Sequence, residues 1–174
     1  MTVSALQALK LKLPPHSIEA EAAVLGSLML DNKAWEKVGD MINSSDFYKA
    51  EHKFIFQAIL RLLEQNKPAD VVTVFESLKS VDTDTNFGGI EYLNSLAQAS
   101  PSVLNIKGYA EIIRDQSILR RLVSVSEEIS SLALNSNRRE TRMILDEAEA
   151  KIFKISEDRA RGNSGLKDFD QLLT

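Results

Sequence analysis

The chain has 174 residues, 44% of them hydrophobic, and a formal net charge of -4. That length and apolar share suit one domain, or a domain with an appended helical arm. The acidic balance excludes a chain-wide grip on nucleic acid, which needs a surplus of Lys and Arg against phosphates. With no cysteine there are no disulfides, no thiolate chemistry and no Cys-based zinc site, as suits a reducing cytoplasm. No apolar run approaches the roughly 20 residues that span a membrane, and the N-terminus lacks a signal-peptide core, so a cytoplasmic protein with no membrane partner is expected.

Glycine (7) and proline (4) are scarce, which disfavours a sheet built on tight turns. Residues 1–17 read as an arm, closed by Pro14-Pro15, with Ser17 placed to cap the first helix. That helix sets Ile18, Ala22, Leu25 and Met29 on one face. Glu19 and Glu21 sit in its first turn, where the helix dipole favours carboxylates and solvent receives them. Asp31-Asn32 ends it and caps a short helix with Trp35, Val38 and Ile42. A third helix over 50–65 points Phe54, Ile55, Ala58, Ile59, Leu62 and Leu63 inward, and Asp70 can cap a fourth. Val71-Val72-Thr73-Val74 favours strand by residue type, but the apolar spacing at 71, 74, 75 and 78 is helical and no partner strand is near. Gly88-Gly89 opens a fifth helix with Ile90, Leu93 and Leu96.

After Pro101 one long pattern runs over 105–134, a turn comes at 135–137, and a second long helix reaches 159. Two long helices joined by a short turn make a hairpin, whose leftover apolar surface marks association with another subunit. Residues 160–165 read as a flexible linker, and Leu166, Phe169, Leu172 and Leu173 begin a further amphipathic helix that stops at Thr174, as if a downstream domain were missing. The expected fold is therefore all-α, a small helical globule (18–100), a long antiparallel helical hairpin (101–160) and the start of a linker helix (161–174).

Catalytic patterns are absent. No GxxxxGK[ST] loop occurs, and Gly88-Gly89 is followed by Ile-Glu, which cannot cradle phosphate that way. His16 and His52 have no second metal-type ligand at helical spacing, so both read as structural or solvated. Glu19 and Glu21 lie about 200° apart around a helix, which rules against joint acid–base work. No Glu-x-x-His spacing of a helical-bundle enzyme occurs. Arg120-Arg121 and Arg138-Arg139-Arg142 read as solvated basic faces, and Asp146, Glu147 and Glu149 as surface pairing with Arg142 and Lys151.

One series of residues is specific. Pro14-Pro15-His16-Ser17-Ile18-Glu19-Ala20-Glu21, then Ala23-Val24-Leu25-Gly26, resembles the opening of bacterial replicative DNA helicases of the DnaB family. Asp46-Phe47-Tyr48, His52, Ile55-Phe56 and Pro68-Ala69-Asp70-Val71-Val72-Thr73 continue the likeness. Gly88-Gly89-Ile90-Glu91-Tyr92-Leu93, Tyr109-Ala110-Glu111-Ile112-Ile113-Arg114, Leu119-Arg120-Arg121-Leu122, Leu145-Asp146-Glu147-Ala148-Glu149 and Ile152-Phe153 complete it, over about residues 13–160. The chain departs from the family at Ser44-Ser45, where a proline is frequent, and in the polar stretch 82–85.

The resemblance implies an oligomerisation and partner-interaction part of a hexameric replicative helicase, a collar of six copies arranged as a trimer of dimers. It implies no catalysis and no cofactor in this fragment; ATP and Mg, unwinding and DNA contact belong to the RecA-like motor of the parent protein. Implied partners are a second copy of the chain, the C-terminal domain of primase and a helicase loader. By resemblance the primase-facing residues are Glu19, Tyr92, Val123 and Ile129. Ile112, Leu119, Leu122, Ile144, Ile152 and Ile155 are divided between internal packing and self-association, and Leu166, Phe169, Leu172 and Leu173 dock the linker onto a neighbour. The alternative is a standalone helical adaptor of the primosome that kept only this fold.

Overall fold

The structure, a computed structural model, describes residues 13–81 and 87–170, the stretch 161–170 as helical backbone only. The arm up to residue 12, the polar stretch 82–85, and Leu172 and Leu173 lie outside the described residues. Every regular element described is helical: α1 (Ile18–Leu30), α2 (Trp35–Val38), α3 (Ala50–Glu64), α4 (Val71–Val81), α5 (Gly89–Ala99), α6 (Ile106–Leu134) and α7 (Thr141–Asp170), with short 3₁₀ turns at Asn32–Ala34, Ser44–Asp46 and Val103–Asn105. The chain divides into two compact units, Ser17–Ser117, and Ile118–Thr174 with Met1–His16.

In the first unit α1 is the central element, lying against α5 and α3, while α4 lies against α3 and α5. Ser17 Oγ accepts from the Ala20 N–H at 3.2 Å and starts the helix as expected. The single inward face expected of α1 is too narrow. Every residue from Ala20 to Met29 except half-buried Ala22 is buried, because the stretch after Glu21 has no charge to claim a solvent side. Gly26 makes the α1–α5 approach possible, since a Cβ there would stand 2.1 Å from the Leu96 carbonyl oxygen.

The helix over Val71–Val81 resolves the strand–helix ambiguity in favour of spacing over residue type. Its cap is reciprocal: the Thr73 N–H donates to Asp70 Oδ1 at 2.9 Å, and the Asp70 N–H donates to Thr73 Oγ1 at 2.9 Å. Asn32 does more than end α1. Its side-chain amide donates to the carbonyls of Leu28 and Ala69, both at 2.8 Å, and accepts from the Ala69 N–H at 3.0 Å, tying the segment before α4 to α1. On α3 the buried residues are His52, Ile55, Phe56, Ala58 and Ile59, whereas Phe54 is 40% exposed and not inward. Phe56 fills the inward slot instead, with Phe47 and Trp35 rings 4.7 and 5.9 Å away. This unit takes in the first turns of α6, through buried Ile106, Ala110, Ile113 and Ser117, so it extends past the helix boundary at which sequence divided the chain.

In the second unit α7 continues without interruption across 161–165, where a flexible linker was expected. Glycine in a helix interior costs about 1 kcal/mol and removes no hydrogen bond, unlike proline, so Gly162 and Gly165 weaken the helix without ending it. The turn before α7 uses positive φ at Asn137 (35°) and Arg138 (68°).

Candidate protein-interaction surfaces

The central position of α1 turns Glu21 into the core. At 2% exposed its carboxylate would be costly unpaired. It accepts from the Tyr48 N–H, from the Lys49 N–H at 3.4 Å and from Nδ1 of fully buried His52. His52 Nε2 pairs with the Tyr92 hydroxyl at 2.7 Å, and Lys49 Nζ donates to that hydroxyl at 2.9 Å. Each donor finds one acceptor if Lys49 donates to Tyr92, Tyr92 to His52 Nε2, and His52 Nδ1–H to Glu21; the tautomer is assigned from this network. The His52 and Tyr92 rings stack with centroids 6.0 Å apart, and Lys49 Nζ lies 4.4 Å from the Tyr92 centroid. The hydrogen bond to Tyr92 holds the Lys49 ammonium above its ordinary value of 10.5, against the opposing effect of burial. Gly88, at φ 85°, makes room for this tyrosine, because a Cβ there would lie 2.7 Å from Tyr92 Cβ.

A second polar knot fastens α6 to the turn before α3. Buried Asp46 accepts from Ser117 Oγ at 2.7 Å, from Arg114 Nη1 at 3.2 Å and from the Asn43 N–H at 2.9 Å.

The hairpin unit is organised by two cross-helix ion pairs, Arg121–Asp158 at 3.1 Å and Lys151–Glu128 at 2.7 Å. They lie seven residues apart on both helices, as an antiparallel hairpin of constant register requires. Half-buried Arg121, Val125, Ile129 and Leu132 share one stripe of α6. Ile144, Ala148, Lys151, Ile155 and Asp158, at spacings of four and three, share one stripe of α7, with Ile155 only 8% exposed. The charges of this unit are not simply solvated. Arg120 donates to the Pro15 carbonyl at 2.8 Å, Arg139 pairs with Glu147 at 3.2 Å, and Lys151 reaches across to Glu128 instead of along its own helix.

The rest of the apolar surface on these helices is unburied. Leu119, Leu122 and Val123 on α6, and Leu145 and Ile152 on α7, are each at least 40% exposed. At about 100° per residue they fall a quarter to half a turn past the seam on α6 and about a quarter turn past it on α7. Because the helices are antiparallel, an offset in the same sense places both sets on one side of the hairpin.

The residues singled out from sequence are spread over both units. Glu19 is exposed at the start of α1 and Tyr92 is half-buried in the relay, both in the globule. Val123 is exposed and Ile129 half-buried in the hairpin seam. Of the self-association candidates, Ile112 is exposed on the globule unit's part of α6, Leu119, Leu122 and Ile152 are exposed on the hairpin, and Ile144 and Ile155 face the seam of their own chain. Leu166 and Phe169 lie on helical backbone of α7. Sequence reading gave Glu21 to solvent, whereas it is buried, and read His52 as structural or solvated, of which the structure shows the first; the two are 31 positions apart, and no local signal joins them. Among the described residues no group of three or more His, Asp or Glu is placed to hold a metal ion, and no helix is long and apolar enough to cross a membrane.

The profile of the family described as DnaB-like helicase N terminal domain matches residues 13–115. The chain is 42% identical over 160 residues to the replicative DNA helicase DnaB of Pasteurella multocida, covering 92% of this chain and 34% of that protein. It is 36% identical over 164 residues to that of Haemophilus influenzae, covering 94% and 35%. The chain thus spans about a third of the length of these curated relatives. Its fold is similar to the crystal structure of the N-terminal domain of DnaB helicase from Mycobacterium tuberculosis, with TM-score 0.76 and 31% identity over 81% of this chain and 99% of that one. The N-terminal domain of DnaB helicase from Helicobacter pylori, described with its interactions with primase, matches with TM-score 0.60 and 27% identity over 78% and 99%.

Proposed function

This chain belongs to the DnaB-like helicase N-terminal domain family, and from that premise we propose that it is the oligomerisation and partner-docking part of a bacterial replicative DNA helicase. In this reading unwinding, ATP and Mg use and DNA contact belong to a motor in the longer helicase, in the cytoplasm, and this part builds the collar. The observation that supports it most is the apolar surface of the hairpin that remains exposed after the seam has formed, with Leu119, Leu122, Val123, Leu145 and Ile152 toward one side and Met143 and Phe153 on other faces of α7. Exposed apolar surface of this extent on one side of an arm marks a protein interface. We assign it to pairing of two copies, with dimers assembling as a trimer of dimers. Ile112 extends the self-association set, while Ile144 and Ile155 act by holding the hairpin's own seam.

The same reading places the primase C-terminal domain on Glu19, Tyr92, Val123 and Ile129, a helicase loader among the remaining partners, and linker docking on Leu166, Phe169, Leu172 and Leu173. The test is mass in solution. Light scattering of the chain with Leu122→Asp should shift the oligomer toward monomer while the helical signal stays as in the parent. An oligomer of unchanged mass removes the hairpin face from the interface.

A further inference from the structure

We propose that Lys49 is the charge-reading residue of the partner surface around Tyr92, taking a carboxylate of the docked protein, with Tyr92, His52 and Glu21 as positioning residues. This rests on the reading that Tyr92 faces a protein partner. The hydroxyl of Tyr92 is already committed on both sides, accepting from Lys49 and facing His52 Nε2. One face of its ring is taken as well, with Lys49 Nζ 4.4 Å from the centroid. The free polar capacity at this spot is on the lysine, whose ammonium has three donors and uses one on Tyr92.

Among the described residues no carboxylate forms an ion pair with Lys49; Glu51 and Glu21 act on it only electrostatically. Surface lysines without a carboxylate are ordinary, but their long side chains are ordinarily loose. Here a relay anchored on a fully buried histidine and a nearly buried glutamate fixes the ammonium from below. Part of the rotamer freedom lost on binding is thus already removed, which is preorganisation. The surroundings select the ligand. The chain's net charge of -4 opposes a polyanion such as nucleic acid, which meets the field of the whole surface, more than a single protein carboxylate that pairs directly with the Lys49 ammonium.

The experiment measures binding of this chain to the primase C-terminal domain across a salt series, with Lys49→Gln, Lys49→Arg, Tyr92→Ala and Glu21→Gln, and thermal melts in parallel. Lys49→Gln should weaken binding about tenfold or more and flatten its salt dependence, while the parallel melts show a folded protein that has lost no more than the small contribution of the Lys49–Tyr92 hydrogen bond. Lys49→Arg should recover part of the affinity and the salt slope. Glu21→Gln should weaken binding while the salt slope persists, since the cation remains but is less well held. If Tyr92→Ala weakens binding while Lys49→Gln leaves affinity and salt slope as in the parent, the inference falls and the docking reading stands. If neither variant alters binding, the docking reading itself falls. A Lys49-dependent affinity for a single-stranded oligonucleotide in place of the protein would also overturn it.

Discussion

Replacing Gly26 with alanine is the sharpest probe of how this globule is held together. On an exposed helix the change stabilises by about 1 kcal/mol, because alanine has the better helix propensity. Here the new methyl would meet the Leu96 carbonyl oxygen at 2.1 Å, its carbon at 2.9 Å and Ser100 Cβ at 3.1 Å. Two of these atoms are backbone, so no rotamer change relieves the contact and α5 must move off α1. Overpacking of this kind costs about 1–3 kcal/mol. Separation also stretches the Ser27–Ser100 hydroxyl bond, now 2.8 Å, which contributes about 1 kcal/mol. Subtracting the propensity gain leaves a net loss of roughly 2 kcal/mol, or a fall of about 4–8 °C in melting temperature at this chain length. Thermal unfolding followed by circular dichroism reads it directly. Ser130→Ala, on an exposed part of α6, serves as control and should change little. A Gly26→Ala protein that melts at or above the parent temperature would refute the close backbone approach.

The same geometry sets three further outcomes. Asn32→Ala removes one acceptor and two donations that join α1 to Ala69, and should cost about 1–3 kcal/mol in urea unfolding; an unchanged midpoint would mean water replaces the bridge without loss. Ile155→Ala in the hairpin seam should destabilise by at least about 2 kcal/mol, whereas Lys151→Ala, which removes a half-buried lysine from a pair with exposed Glu128, should stay within about 1 kcal/mol; equal effects would show that the ion pairs and not the apolar stripe hold the hairpin. Lys49 has its folded pKa raised above the ordinary 10.5 by Tyr92, so its contribution is complete below pH 10.5 and is lost as pH rises through the raised value. The stability gap between the parent and Lys49→Met should therefore be constant over pH 7–9 and close above 10.5, and a gap that widens there would contradict the assignment.

The parts of this protein legible in sequence are those governed by neighbours three or four positions away. Ser17 and Asp70 act locally as caps, and the spacing at 71, 74, 75 and 78 outweighed the strand preference of three valines. The two long patterns after Pro101 likewise became α6 and α7. Local reading failed where a residue's role depends on what surrounds its helix. Glu19 and Glu21 look alike as first-turn carboxylates, yet one is exposed and the other buried. Helix α1 turned out to be central, so its first turn already has a core side, and there Glu21 finds Tyr48 and His52, 27 and 31 positions away. Phe54, expected inward, is exposed, and Phe56 is buried.

By itself, then, the sequence determined the helical class, the order of the helices and the absence of a phosphate-binding loop, because propensity, capping and periodicity are encoded within a few residues. The division of the hairpin's apolar residues between seam and open face was decided only by the pairing of α6 with α7. The Glu21–His52–Tyr92–Lys49 relay was decided only by the convergence of α1, α3 and α5. Both depend on which distant segment supplies the other half of a contact, and hydrogen bonds and packing across such distances leave no periodic trace in the chain.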